Sequence, residues 1–115
     1  MQYALLIYEA PGAYDGLGDE DREALTAEYM ALREDPRVVG GGRLQGVETA
    51  TTVRVQDGQT LVADGPFAET KEVFGGYYLF EADNLDAATE LAGRIPAVRM
   101  NGVVEIRPMW RYDAD

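Results

Sequence analysis

Apolar residues along this chain follow two spacings, an alternation of period two in some stretches and a helical recurrence in others. The switch between them sets the expected elements. Residues 3–8 (YALLIY) are apolar throughout, with Tyr3, Leu5 and Ile7 on one strand face and Ala4, Leu6 and Tyr8 on the other. A strand covered on both sides has that pattern. Pro11 and three glycines make residues 10–18 a loop. Over 19–34, Leu25, Tyr29 and Leu32 stand at i, i+4 and i+7, the buried stripe of a helix. Its first turn, Asp19, Glu20 and Asp21, suits the positive end of the helix dipole, and Asp35-Pro36 ends it.

Residues 38–45 (VVGGGRLQ) predict a weaker strand, interrupted by three glycines that mark a bulge, a bend or a close backbone approach. They are not a phosphate loop, because the Walker spacing and its Lys-Ser/Thr are missing. Asp57-Gly58 is a two-residue type I′ turn signal between Thr51–Gln56 and Gln59–Asp64. Closed that way, Val55 faces Thr60, Val53 faces Val62 and Thr51 faces Asp64. Residues 68–74 form a polar connector, and Gly75-Gly76 leads into a strand over 77–82 (YYLFEA), again apolar on both faces. A second helix is expected over 85–95, capped by Asn84 or Asp83 and stopped by Pro96, with Leu85, Ala88, Leu91, Ala92 and Ile95 as its core stripe. The last strand, 102–109, sets Val104 and Ile106 against Val103, Glu105 and Arg107.

The predicted hairpin register puts Asp64 on the face of Val53, Val55 and Val62, and Gly65-Pro66 stops the strand there. Phe67 can drop into the core and fix the corner. Two readings of Asp64 stay open: a strand terminator that accepts local backbone N–H groups, or a partly buried carboxylate facing a cleft. Glu69, Lys71 and Glu72 read as a solvated charge cluster or as ligand-facing groups.

The element order is strand, helix, strand, hairpin arm, strand, helix, strand. Two such halves on one antiparallel sheet describe an α+β, ferredoxin-like sandwich in a single domain spanning 1–115. Two helices cover only one sheet face, yet two strands are apolar on both. A second copy stacked face to face covers the other, giving a homodimeric α+β barrel.

Composition narrows the chemistry. Hydrophobic residues make up 46% of the 115, enough for a real core. No apolar run is long enough to span a bilayer, and the N-terminus lacks the basic region of a signal peptide. Cys, His and Ser are all absent, which removes disulfides, thiolate catalysis, the commonest transition-metal ligands and any Ser-His-Asp triad. A cytoplasmic protein with no cofactor is expected, no metal ligands are assigned although an all-oxygen Asp/Glu site without EF-hand spacing stays open, and proton chemistry falls to carboxylates, Lys71 or Tyr. The net charge of −11, with basic residues scattered, argues against nucleic acid and anionic membrane as partners.

The segment DGPFAETKEVFGGYYLFE (64–81) closely resembles the signature of DGPF proteins within the YCII-related family. MQYALLIYEAPG, TATTVRVQDGQTLVADGPF and VVEIRPM match that family's pattern as well, so the resemblance covers almost the whole chain. It implies a dimeric α+β barrel, and it places Asp64, Gly65, Pro66, Phe67, Glu69, Lys71, Gly75, Gly76, Arg107 and Pro108 at motif positions. DGPF genes often neighbour those of alternative sigma factors, which implies a regulatory or stress-linked role. The His that DGPF relatives commonly carry before the last strand is missing from RIPAVRMNG, so His–Asp chemistry does not carry over.

Three functions follow as expectations. The first is a binding module for a small polar metabolite near Asp64, with Glu69, Lys71 and Arg107 as polar contacts and Tyr77 and Tyr78 as walls. The second is an enzyme with Asp64 as general acid/base beside Lys71 or Arg107. The third is an acidic interaction protein docking a basic partner such as a sigma factor.

Overall fold

Strand β1 (Gln2–Glu9) lies near the middle of a four-stranded antiparallel sheet in a computed structural model that describes residues 1–66 and 71–112. The other sheet members are β2 (Val38–Arg43), β5 (Val73–Glu81) and β6 (Val103–Pro108), in the order β2-β5-β1-β6. Helices α1 (Asp19–Arg33) and α2 (Leu85–Ala92) connect the strands of each half. The result is the ferredoxin-like α+β arrangement that the element order predicts.

The alternation of each strand decides what the helices cover. Tyr3, Leu5 and Ile7 of β1 and Tyr78 and Phe80 of β5 are buried with Leu32 of α1 and Ala88 and Leu91 of α2. Val104 and Ile106 of β6 pack against the same cluster, as their expected face requires. On the opposite face the cross-strand pairs are Leu6 with Tyr77, Ala4 with Leu79, Ala4 with Arg107 and Leu6 with Glu105. Tyr8 and Phe74 pack on that face in a tilted arrangement, with ring centroids 5.5 Å apart and planes at 54°. Among the described residues, no helix covers this second face.

Strand β5 begins earlier than the sequence suggests, at Val73, and Gly75-Gly76 lies inside it. The glycines let β2 and β5 approach closely: at Gly41 (φ 137°) a side chain would collide with the Tyr77 carbonyl. A bulge between Val38 and Gly40 accompanies this contact. The glycine run is therefore a close backbone approach with a bulge.

Helix α2 is shorter than expected. Asn84 caps it by accepting from the Ala87 N–H at 3.0 Å, but the helix ends at Ala92, and Leu85 is exposed, not part of the core stripe. Ile95 is nonetheless fully buried, because the chain turns at Gly93 and enters a 3-10 turn over Pro96–Arg99. Pro96 starts that turn, where its missing N–H costs nothing, and Pro96 and Ala97 are buried.

The hairpin of β3 (Thr51–Gln56) and β4 (Gln59–Asp64) forms a sheet of its own in the predicted register, with Thr51 opposite Asp64, Val53 opposite Val62 and Val55 opposite Thr60. Asp57 (φ 51°) and Gly58 (φ 78°) both take the positive φ of a type I′ turn. The Gly65 N–H donates to Ala50 O at 2.7 Å and the Thr52 hydroxyl to Gly65 O at 2.6 Å, closing the hairpin base. Its residues are exposed except Thr52, and Val53, Val55 and Val62 are 60%, 68% and 65% exposed. The molecule measures 50 × 44 × 20 Å with a radius of gyration of 16.3 Å. A compact domain of similar length has about 13 Å. Among the described residues, no helix is long and apolar enough to cross a membrane.

Candidate functional site

The described structure has a cleft between α1 and the sheet, where β1 ends beside the glycine-rich contact of β2 and β5. It encloses about 120 Å³. Ile7 and Tyr78 line its buried side, Thr26, Tyr29, Met30 and Arg33 come from α1, and Arg43 comes from the end of β2. Gly42, Gly75, Gly76, Glu9 and Tyr77 complete the lining.

Each polar group arrives there for a local reason. Glu9 is the last residue of β1, and its carboxylate occupies the space that a side chain at Gly75 would fill. Tyr14 comes from the following loop, which Arg22 of α1 pins by donating to Tyr14 O at 2.7 Å and Leu17 O at 3.2 Å. The Tyr14 hydroxyl donates to Glu9 Oε2 and lies 3.4 Å from the Tyr29 hydroxyl. Tyr29 belongs to the α1 stripe, half-buried, with only its polar tip in the cluster. The Tyr78 hydroxyl donates to Tyr29 O at 2.9 Å, tying β5 to the helix above it.

Burial raises the pKa of all three phenols. Tyr14 is pushed far above the ordinary tyrosine value, first by desolvation and then by its hydrogen bonds to Glu9 and Tyr29. Tyr29 is raised mainly by burial, with its hydrogen bond to Tyr14 and, less strongly, Arg43 pulling the other way. Tyr78 is pushed up to about 12, again by burial first. These hydroxyls are therefore neutral donors at physiological pH.

Two cations flank this cluster. The Arg43 guanidinium lies 5.8 Å from the Tyr14 ring centroid, in cation–π range. Arg33 closes the last turn of α1. Both are exposed, and neither makes an ion pair among the described residues. Arg37, Arg94 and Arg99, by contrast, are paired with Asp35, Glu90 and Glu28.

Of the residues expected from sequence, Tyr77 and Tyr78 line the cleft. Asp64 stands at the end of β4 with its side chain exposed. Lys71 is exposed just before β5, and Arg107 is exposed on the uncovered sheet face opposite Ala4. No hydrogen bond or ion pair joins Asp64, Lys71 and Arg107 in the described structure. Phe67 and Glu69 fall outside the described residues. Among those described, no group of three or more His, Cys, Asp or Glu could hold a metal ion.

Sequence reasoning passed over Glu9, Tyr14, Arg33 and Arg43, and placed Tyr29 only in a core stripe. One local signal was available. Glu9 is a carboxylate directly following a strand apolar on both faces, and a distant Gly-Gly pair leaves room for it.

The sheet order and the helix-side cleft define the class as a ferredoxin-like α+β protein with a pocket beneath its first helix. Residues 1–113 match the YCII-related domain. An uncharacterized protein of Rhizobium meliloti strain 1021 is 33% identical over 117 residues, covering 97% of this chain and 94% of that protein. The chain belongs to the YCII-related family. Among solved structures it resembles 5-chloro-2-hydroxyhydroquinone dehydrochlorinase of Burkholderia phenoliruptrix AC1100, determined in complex with 2,5-dihydroxybenzoquinone. That likeness has a TM-score of 0.57 at 16% identity, covers 96% of this chain and 94% of the other, and concerns the fold.

Proposed function

We propose that this chain is a homodimeric binding protein of the DGPF type that holds a small polar metabolite in the cleft beneath α1. The observation that carries this reading is the convergence of Glu9, Tyr29 and Arg43, which Tyr14 ties together, on a space of about 120 Å³ with mostly apolar walls. A few placed polar groups in an apolar cleft are the usual make-up of a ligand site. An apolar cavity of roughly 150 Å³ accepts a benzene ring, so the ligand is on the scale of one ring. The dehydrochlorinase was solved with a ligand of that size, 2,5-dihydroxybenzoquinone.

The homodimer reading is supported by the uncovered sheet face. Leu6, Tyr8, Phe74, Leu79 and Val103 make most of it apolar beside Glu105 and Arg107, and the same face of a second copy matches it.

Native mass spectrometry of freshly purified protein tests both parts. We expect a dimer carrying a non-covalent adduct, and a Gly75→Val variant that remains dimeric and loses the adduct, since its side chain displaces Glu9. A monomer would overturn the dimer. An adduct retained by Gly75→Val would place the ligand elsewhere.

A further inference from the structure

The charges around the cleft have a polarity that narrows the ligand further. Its acidic group, Glu9, is half-buried as the last residue of β1, and Oε2 already accepts from Tyr14. A carboxylate offers only acceptors, so what its remaining oxygen can take from a ligand is a donor. Its two cationic groups, Arg33 and Arg43, are exposed at the rim. The Tyr14 side chain contacts both Arg43, over its ring, and Glu9, at its hydroxyl.

Among the described residues Arg33 and Arg43, like most of the chain's basic side chains, make no ion pair, but these two stand together at one cleft and leave their N–H donors available to a ligand. A guanidinium is suited to a carboxylate, which it binds through paired N–H donors. The apolar side chains lining the cleft are Ile7, Met30 and Tyr78, which suit a flat apolar body.

Building on the metabolite-binding reading above, we propose that the cleft selects a single-ring hydroxy acid, with its hydroxyl donating to Glu9 and its carboxylate held at the rim by Arg43 and Arg33. Both polar ends are needed. A ring with two carboxylates places one against Glu9, and a ring with none leaves the arginines unused. The raised pKa values of Tyr14 and Tyr29 fit this arrangement, because neutral phenols do not repel the ligand's charge.

The test is a titration of the 15N-labelled protein, followed through the amides of Tyr29, Met30 and Gly76, with three probes: 4-hydroxybenzoate, benzoate and phenol. We expect 4-hydroxybenzoate to bind at least about tenfold more tightly than either of the others, each of which lacks one polar end. Arg43→Gln should remove its advantage over phenol. Glu9→Gln, which keeps an acceptor oxygen for Tyr14, should remove its advantage over benzoate. Equal affinity for all three probes would overturn the hydroxy-acid assignment while leaving a ring-binding cleft. Absence of saturable shifts with every probe would overturn the assignment and the metabolite-binding reading together. The probe series on the unaltered protein needs no variant to fold.

Discussion

The helix-covered face of the four-stranded sheet and the β3–β4 hairpin are built from strands of similar local quality, yet they end in opposite environments. Phe80 and Leu5 are fully buried beneath the helices, whereas Val53, Val55 and Val62 of the hairpin are more than half exposed. Both regions pair antiparallel with well-defined register. The difference is what lies against them. Helices α1 and α2 reach one sheet face only, and neither packs over the hairpin. Strand pairing and burial are thus separate achievements. A two-residue turn gives the hairpin its register, but an isolated hairpin in water is marginal and draws its stability from whatever packs on it.

The substitution expected to separate the regions most strongly is Phe80→Ala. It should lower unfolding stability by about 3–5 kcal/mol in urea denaturation, because it empties a fully buried ring site. A loss near zero would break the view that the helix-covered face holds the stability. Gly41→Ala comes next, at roughly 1–3 kcal/mol, since a side chain at φ 137° is strained and meets the Tyr77 carbonyl. A neutral result would show that β2 and β5 can part without cost.

Tyr78→Phe should cost about 0.5–1.5 kcal/mol at neutral pH through loss of the bond to Tyr29 O. It also carries a pH signature. The Tyr78 phenol ionises near 10.0 when unfolded and about 12 when folded, because burial disfavours its charged form. That contribution is fully present below pH 10 and is lost as pH rises through about 12. Stability of the unaltered protein should therefore fall across this alkaline window. Tyr78→Phe should fall less steeply, with Tyr14 and Tyr29 retaining a share. Parallel curves would remove Tyr78 from the explanation.

Val55→Thr should have the smallest effect, under about 0.5 kcal/mol in dilute solution, as expected at an exposed site. A larger cost that grows with protein concentration would sharpen the comparison differently, by showing that a second copy covers the hairpin.

Much of the fold was legible because its signals are local. Asp57-Gly58 fixes the hairpin, Asn84 caps α2, and the alternation in YALLIY and YYLFEA sorts core from uncovered face. Expectations failed where a glycine or proline acts through a distant neighbour. Gly75-Gly76 looks like a strand boundary, but it lies within β5 because β2 and Glu9 press against it. Pro96 looks like a stop, but it opens a buried turn that extends the core past α2. The cleft was less legible still. Tyr77 and Tyr78 stood out as aromatic walls, whereas Glu9, Tyr14, Arg33 and Arg43 carry no shared motif.

By itself the sequence determined the identity, order and internal register of the strands, because turn chemistry and side-chain alternation act over a few residues. Only the tertiary structure decided which carboxylate meets which tyrosine. The β2-β5-β1-β6 order brings the end of β1, its following loop, the middle of α1 and the end of β2 to one place. Those segments follow one another within residues 7–43, but β5 joins them only from residues 75–78, and no local spacing records their meeting.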